Sequence, residues 1–382
     1  MKFSCTQENL KTGLANVVHV AGKNINLPIL NNTLIDVSDG LIKLITTDLE
    51  IGITATIRGK VEKIGRATVN AKLLTDYVNL LPTGRVDVDL TADELKIACG
   101  NFKTKIKNED AGDYPIIPVV DKKNYFSFDF EEFKKIANGV VFAAAADETR
   151  IELSGVYFEF NEQELTLAAT DSYRLIEQKI KYKNKINMPA VKKLIIPTKS
   201  IIEVTRLATR GDKIEVADEK NNNEIRLYAA ENQILFVYDE VELVSRIIEG
   251  QYPDYKQIIP NVSQENKTIT TLDRRELTQA VKAASLFSKA NVNDVQIDFS
   301  AVDKKTTVSS VNSQSGESLA EVSSEISNKD NNVVLNYRYL LDGLSNFEGE
   351  RVIIEVVDSN TPVILKSENQ PNCFYIIMPI KK

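Results

Sequence analysis

Apolar and polar residues along this chain alternate with two periods, and the switch between them recurs three times. Helical spacing, with apolar residues every three or four positions, predicts helices over Gln7 to His19, Asp129 to Ala146 and Asp273 to Lys289. In the second of these, Phe133, Ile136, Ala137, Val140 and Val141 fall on one face. A second set of helices is predicted over Asn70 to Leu81, Thr198 to Arg210 and Asn336 to Phe347. Asp273 with Glu276 three residues on reads as a capping box. Asn70, Asn336 and Thr198, which follows Pro197, read as N-caps. Gly84, Gly211 and Gly349 supply residues for the left-handed turns that end helices.

Between the helices the period drops to two. Leu34 to Val37 and Leu41 to Leu44, around Ser38-Asp39-Gly40, predict a hairpin, as do Val156 to Phe160 and Glu164 to Leu167. Both hairpins lead into a matching triplet, Thr46-Thr47-Asp48 and Ala169-Thr170-Asp171; in the third copy Val308 to Val311 followed by Asn312 takes that place. Alternating strands also follow the second helices, at Arg85 to Val88, Lys213 to Val216 and Arg351 to Val356.

A theme repeated at domain-sized spacing makes the repeat the unit of architecture. Gly112-Asp113-Tyr114-Pro115-Ile116-Ile117-Pro118 closes the first copy, and Gly250-Gln251-Tyr252-Pro253 with Ile258-Ile259-Pro260 closes the second. Prolines hold such segments extended, as linkers. The expected domains are 1–124, 125–264 and 265–382. The expected fold class is α+β, each domain having two helices packed on antiparallel sheets. The charged, Asn-rich stretches 219–224 and 328–332 read as exposed hairpin tips.

Composition narrows the function. The chain is 43% hydrophobic and 26% charged, enough apolar residue for a full core. No signal peptide is recognisable and no apolar run approaches the ~18 residues of a membrane span, so a cytoplasmic protein without a membrane partner is expected. Cys5, Cys99 and Cys373 form no CxxC pair, which argues against structural zinc and a disulfide framework and for small buried apolar roles. A net charge of −7 argues against unspecific adhesion to nucleic acid.

A catalytic reading finds little to hold. No phosphate-cradling, zinc-protease or nucleophile-elbow motif is present. His19 is the one histidine, at the end of a predicted helix, and reads as a packing or capping residue. Asp147-Glu148 and Asp110 with Asp113 read as solvated surface, and Thr170-Asp171 lacks the spacing of a calcium loop. No enzyme activity, metal or cofactor is expected.

The second helices carry a quieter signal. Lys72, Lys199 and Arg338 occupy one column of the repeat, in the first turn, where the helix dipole disfavours positive charge by a few tenths of a kcal/mol. Either these are solvated surface cations, or each copy faces the same polyanion. The helical segments are slightly positive and the remainder acidic, a bias too weak for tight phosphate binding. It suits a surface that tolerates DNA without gripping it.

Together, certain residues resemble the bacterial sliding clamp family, the beta subunit of DNA polymerase III. They are Met1-Lys2-Phe3, Leu27-Pro28-Ile29-Leu30, Thr47-Asp48-Leu49-Glu50, Ala169 to Leu175, Tyr252-Pro253-Asp254-Tyr255 and Met378-Pro379-Ile380, in order along the whole chain. The resemblance implies a head-to-tail homodimer forming a six-domain ring, helices lining a hole threaded by double-stranded DNA. It implies a non-catalytic tether for the replicative polymerase. DNA contacts would come from Lys72, Lys199, Arg206, Arg274, Arg275, Lys282 and Arg338, with Lys11, Lys23, Lys134 and Arg150 in addition. Ring closure would use an edge strand from Phe102 to Ile106 and the Leu286-Phe287 helix end.

The resemblance also implies a groove between the second and third copies for short linear peptides of the polymerase alpha subunit, clamp loader and repair proteins. Its residues from the second copy would be Leu153, Thr170, Ser172, Tyr173, Arg174, Leu175, Pro253 and Ile258. The third copy would add Asn336, Tyr339, Pro362, Ile376, Ile377, Met378, Pro379 and Ile380. In this reading Arg174 and Asn336 bind the peptide backbone or an acidic side chain. Taken from the residues alone, Ile376 to Ile380 is an ordinary last core strand. Tyr173 and Gln257 stand where relatives often carry histidine and arginine, so peptide preference is expected to differ. The alternative is a multidomain peptide-binding scaffold that never encircles DNA.

Overall fold

A computed structural model describes residues 1–22, 26–91, 93–147, 149–184, 192–208, 223–289 and 291–381. The element order repeats three times, with one further strand, Lys60–Lys63, between the helices of the first repeat among the described residues. The first repeat contains β1 (Lys2–Thr6), α1 (Gln7–Val17), β2 (Asn32–Ser38), β3 (Leu41–Thr47), β4 (Ile51–Ile57), β5 (Lys60–Lys63), β6 (Gly65–Asn70), α2 (Ala71–Leu80), β7 (Arg85–Leu90), β8 (Glu94–Cys99) and β9 (Phe102–Lys107). The second contains β10 (Phe126–Asp129), α3 (Phe130–Val141), β11 (Gly155–Phe160), β12 (Glu164–Thr170), β13 (Arg174–Lys181), β14 (Lys193–Pro197), α4 (Thr198–Thr205), β15 (Glu224–Ala229), β16 (Gln233–Tyr238) and β17 (Val241–Arg246). The third contains β18 (Thr268–Asp273), α5 (Arg274–Ser285), β19 (Asp294–Ser300), β20 (Lys305–Asn312), β21 (Gly316–Ser327), β22 (Asn331–Asn336), α6 (Tyr337–Asn346), β23 (Arg351–Val356), β24 (Val363–Lys366) and β25 (Cys373–Ile377).

All six predicted helices form, each shorter than its apolar pattern. Side-chain caps set most of the starts. Thr6, Asn70, Asp273 and Asn336 accept hydrogen bonds from the first-turn N–H groups of α1, α2, α5 and α6, and Asp129 does so for α3. Thr198 departs from expectation: it is the first helical residue of α4, the N-cap position falls on Pro197, and no side chain caps it. Helix ends depart too. α2 and α6 stop at Leu81 and Phe347, whose backbones turn extended as their side chains bury, 6% and 4% exposed. Gly84 and Gly349 follow a few residues later, and Gly211 and the Lys213–Val216 strand lie outside the described residues. The second linker is not extended throughout, since Tyr255–Ile258 coils into a 3-10 turn.

The chain packs as two compact units, residues 1–134 with 181–247 and residues 135–180 with 248–382. In the first unit β5-β1-β7-β8-β9 forms one sheet and β10-β15-β16-β17-β4-β3-β2-β6 another. In the second unit the strands run β11-β12-β13-β25-β24-β23-β18-β21-β20-β19-β22. Burial alternates along them as period two requires, for example Val295, Ile297 and Phe299 inward on β19. Cys5, Cys99 and Cys373 are free and buried, and burial pushes the Cys5 and Cys373 thiols up to about 12.

Each unit contains one junction between neighbouring repeats, and the two are alike. β17 runs antiparallel to β4 with Ser245 opposite Ile51; β25 runs antiparallel to β13 with Ile377 opposite Arg174. Both are entered through the same turn. Thr47 and Thr170 donate Oγ1 to the carbonyls of Ile51 and Arg174 at 2.8 and 2.6 Å. Asp48 Oδ1 accepts from the Glu50 and Ile51 amides, and Asp171 Oδ1 from those of Tyr173 and Arg174. Leu49 and Ser172 share a φ of 79°. One more bond extends each ladder, Arg246 N–H to the Glu50 carbonyl at 2.9 Å and Met378 N–H to that of Tyr173 at 2.8 Å.

Helix α6 lies tight against the second junction through Gly343. A Cβ there would stand 2.5 and 2.6 Å from Cε1 and Cδ1 of the fully buried Tyr375. Gly343→Ala is therefore expected to lower the thermal midpoint, because overpacking costs about 1–3 kcal/mol against a helix-propensity gain of about 1 kcal/mol. An unchanged or raised midpoint in a thermal melt would show that Tyr375 has room to move.

Candidate peptide, nucleic-acid and subunit interfaces

All of the expected groove residues fall in the second unit, but they divide into a hidden layer and an exposed one. Leu153, Leu175, Ile376 and Ile377 are at most 2% exposed, and Thr170 is buried. Ile376 and Ile377 are core residues of β25, as the residues alone suggested, and support the surface from beneath. Ser172, Tyr173 and Ile258 are exposed, and Pro253, Tyr339, Pro362, Met378, Pro379 and Ile380 are partly so. The tail is stitched down by Ile380 N–H to the Val334 carbonyl at 2.8 Å.

Arg174 is engaged within the protein. Nε donates to Asp171 Oδ2 at 2.9 Å, Nη1 to Asp342 Oδ2, and Nη2 to the Phe142 carbonyl at 2.9 Å. The guanidinium also lies 4.7 Å from the Tyr339 ring centre and 5.5 Å from that of Phe142, and the side chain is 12% exposed. It joins β13 to α6. Asn336 spends its Oδ1 capping α6 through the Arg338 amide.

Sequence reading missed the group that positions Pro253 and Ile258. Tyr255 N–H binds the Pro253 carbonyl at 2.8 Å, and the Tyr255 hydroxyl donates to Glu177 Oε2 at 2.6 Å. Tyr157 stacks on Tyr252 at 4.9 Å, and both meet Tyr255 edge-on. Burial pushes the Tyr255 phenol far above its usual range and the Glu177 bond adds to it, so it remains a neutral donor. The signal was present in Tyr252-Pro253-Asp254-Tyr255, whose two tyrosines are both buried.

The cation column is geometrically real: Lys72, Lys199 and Arg338 are each the second residue of their helix. Their surroundings differ. Lys199 is ion-paired with Asp48 in the first-junction turn. Arg206 pairs with Glu203 at 2.6 Å, and Arg274 donates to the Gly349 and Leu344 carbonyls at 2.8 and 3.0 Å. Lys134 lies over the Phe130 ring. Arg150 bonds Glu152 and Ser172, which places it beside the exposed groove residues. Lys11, Lys72, Arg275, Lys282 and Arg338 are exposed and in no ion pair among the described residues; Lys23 lies outside them.

Among the open sheet edges of the described residues, two bear on ring closure. β9 pairs with β8 alone, and the Gly316–Ser323 half of β21 pairs with β20 alone. Phe102 is 51% exposed at the head of β9, while Ile106 is buried. Leu286 is 77% exposed at the end of α5, and the Phe287 ring lies 3.7 Å from where a Cβ on Gly316 would stand. A further apolar stripe was missed because α2 was read as facing a polyanion: Leu73 and Leu80, 54% and 79% exposed, share a face with Tyr77. Cys99 Sγ donates to the Pro82 carbonyl at 3.4 Å, tying the end of α2 to the turn that carries Phe102.

Because the Arg174 fork satisfies two carboxylates and a carbonyl at once, Arg174→Ala is expected to destabilise the second unit by about 3 kcal/mol. Arg174→Lys should recover little, a point charge being unable to span three acceptors. Urea denaturation of the three proteins tests this; equal midpoints would sink the assignment.

Comparison with known proteins accords with this arrangement. The chain matches the N-terminal, central and C-terminal domains of the DNA polymerase III beta subunit over residues 1–118, 127–254 and 256–381. It is 28% identical to the beta sliding clamp of Synechococcus elongatus, over 100% of this chain and 99% of that one. It is 26% identical to the beta sliding clamp of Bacillus subtilis, over the full length of both. The crystal structure of the DNA polymerase III beta subunit from Thermotoga maritima superposes with a TM-score of 0.88 at 25% identity, covering 100% of this chain and 99% of that one. The chain belongs to the DNA polymerase III beta subunit family.

Proposed function

We infer that this chain is a DNA sliding clamp: a non-catalytic, cytoplasmic processivity subunit that encircles duplex DNA as a head-to-tail homodimer and tethers the replicative polymerase. Three domains, divided near residues 124 and 264, would come from each copy. Among the described residues no helix is long and apolar enough to cross a membrane.

The observation that carries the reading is the matching register of the two internal junctions. Each joins the last strand of one repeat to the strand after the first hairpin of the repeat before it, as β17 joins β4 and β25 joins β13. The same rule leaves β9 and the first half of β21 without mates. Phe102 opens β9 as Val241 opens β17, each opposite the end of the preceding strand. Gly316 stands opposite Asn312 as Ile51 follows Asp48. Carrying the register across gives Ile106 opposite the partner subunit's Gly316 and Lys105 opposite the partner subunit's Glu317. Lys103, Lys105 and Lys107 then form a basic row against the acidic Glu317 and Glu321, while Phe102 and Ile106 meet Leu286 and Phe287.

DNA would meet the exposed Lys11, Lys72, Arg275, Lys282 and Arg338. Few and separate contacts give weak, salt-sensitive binding, so retention comes from topology rather than affinity. Partner peptides of the polymerase alpha subunit, clamp loader and repair proteins would dock on the exposed layer around Tyr173, Ile258 and Met378.

Lys105→Cys with Glu317→Cys should give a covalent dimer under mild oxidation, since opposite residues of a ladder lie about 4.5–5.5 Å apart, within disulfide reach. Pairing Lys105→Cys with Ser318→Cys should not. The cross-linked dimer, loaded on nicked circular DNA, should stay bound through a high-salt wash and be lost when the DNA is linearised. A scaffold that never encircles DNA would show no dependence on DNA ends. Deleting residues 378–382 should abolish peptide binding and spare dimerisation, as read by analytical ultracentrifugation; undiminished peptide affinity would refute the docking surface.

A further inference from the structure

We propose that the first repeat junction is a second copy of the docking groove, filled in cis by Ile117 of the chain's own linker. This rests on reading the second junction as a peptide groove. The two cradles share the Thr-Asp turn, the strand register and the extra ladder bond described above. They share flanking pieces as well: Leu30 and Leu153 are both buried in 3-10 turns, and Tyr114-Pro115 matches Tyr252-Pro253.

The side chains differ in the buried layer beneath the surface where a ligand would sit. Gly52 stands in the register position of Leu175, and an added Cβ on Gly52 would lie 2.9 Å from three side-chain atoms of Ile117. The linker isoleucine therefore takes the place of the missing side chain. It is pinned on both sides. The Tyr114 hydroxyl donates to the Asn32 and Ile45 carbonyls at 3.1 and 3.3 Å, and Val120 is buried against Tyr228 and Leu235. Ile116 and Val119, 93% and 91% exposed, point away. In place of Met378 and Tyr173, the first cradle has Arg246 and Glu50, an ion pair at 3.8 Å.

The segment Pro115-Ile116-Ile117-Pro118-Val119 is itself a short apolar peptide, the chemical class the second groove is read to accept. Tethered at both ends, it presents Ile117 at an effective concentration on the order of millimolar, so a free peptide of modest affinity is excluded. The chain then has two cradles of one design, one resident-filled and one open to partners.

The probe is a labelled nonapeptide copying residues 113–121, titrated calorimetrically into wild type, Ile117→Ala, Ile258→Asp and the double variant. Ile117→Ala should bind one more peptide per chain than wild type, and the double variant one more than Ile258→Asp. No added site in either background overturns the proposal. Ile258→Asp reports separately on the second groove: wild-type binding by that variant would defeat the groove reading while leaving the first-junction comparison intact. If Ile117→Ala fails to fold, Gly52→Ala decides the matter by hydrogen exchange. Expulsion of Ile117 should speed exchange at the amides of Ile116, Ile117 and Val119 at least several-fold, whereas unchanged rates would mean that Ile117 is not seated there.

Discussion

Backbone pairing across repeat boundaries is the constraint on which the rest depends. A strand that joins its neighbour's sheet satisfies its own N–H and C=O groups and the neighbour's edge in one step. Here β17 does this for β4 and β25 for β13. Three repeats in a row have two such boundaries and necessarily end in two unmated strands. Exposed edges are a hazard that proteins ordinarily blunt with charge or cover. β9 does carry lysines, yet it also carries an exposed Phe102, and β21 carries Leu319 at 67% exposure. An edge that is charged and apolar at once suits a mate of matching pattern better than an unspecific one.

The two internal boundaries show how one backbone device can be locked by different side chains. At the first, Lys199 reaches the turn carboxylate of Asp48 from the start of α4. Such a half-exposed pair contributes little, on the order of 0–1 kcal/mol. At the second, Arg174 grows from the strand itself and engages Asp171, Asp342 and the Phe142 carbonyl, with Tyr339 beneath it. The stronger lock lies under the surface read as accepting partners, beside the Met378 N–H bond to the Tyr173 carbonyl. The weaker lock lies where the linker already packs against the cradle.

Much of this was legible in the sequence because periodicity and capping are local. The helices near Asn70, Asp273 and Asn336 appear where their caps predict, and the hairpin at Ser38-Asp39-Gly40 turns through positive φ at Asp39 and Gly40. The matching Thr-Asp triplets foretold matching turns. Partner choice was not legible, since it depends on which side chains meet across distant segments. Arg174 reads as a free cation until Asp342 and Phe142 are brought to it. Lys199 reads like Lys72 until Asp48 arrives. Ile376 and Ile377 read as core from the residues alone and as groove wall from the resemblance, and their burial makes them core. The Leu73-Tyr77-Leu80 stripe was visible as a pattern, but only exposure separates it from the buried Leu74-Val78 stripe beside it.

The two open edges are not copies of each other, and that has a geometric corollary. Surfaces that mate head to tail lead to closed rings only when the rotation per subunit divides a full turn; otherwise they continue into helical fibres. Closure by a pair of chains therefore demands that each boundary inside a chain hold its angle, since every small error is carried to the free ends. The shared register and shared turn at β4 and β13 act, in this light, as an angular standard written twice into one polypeptide.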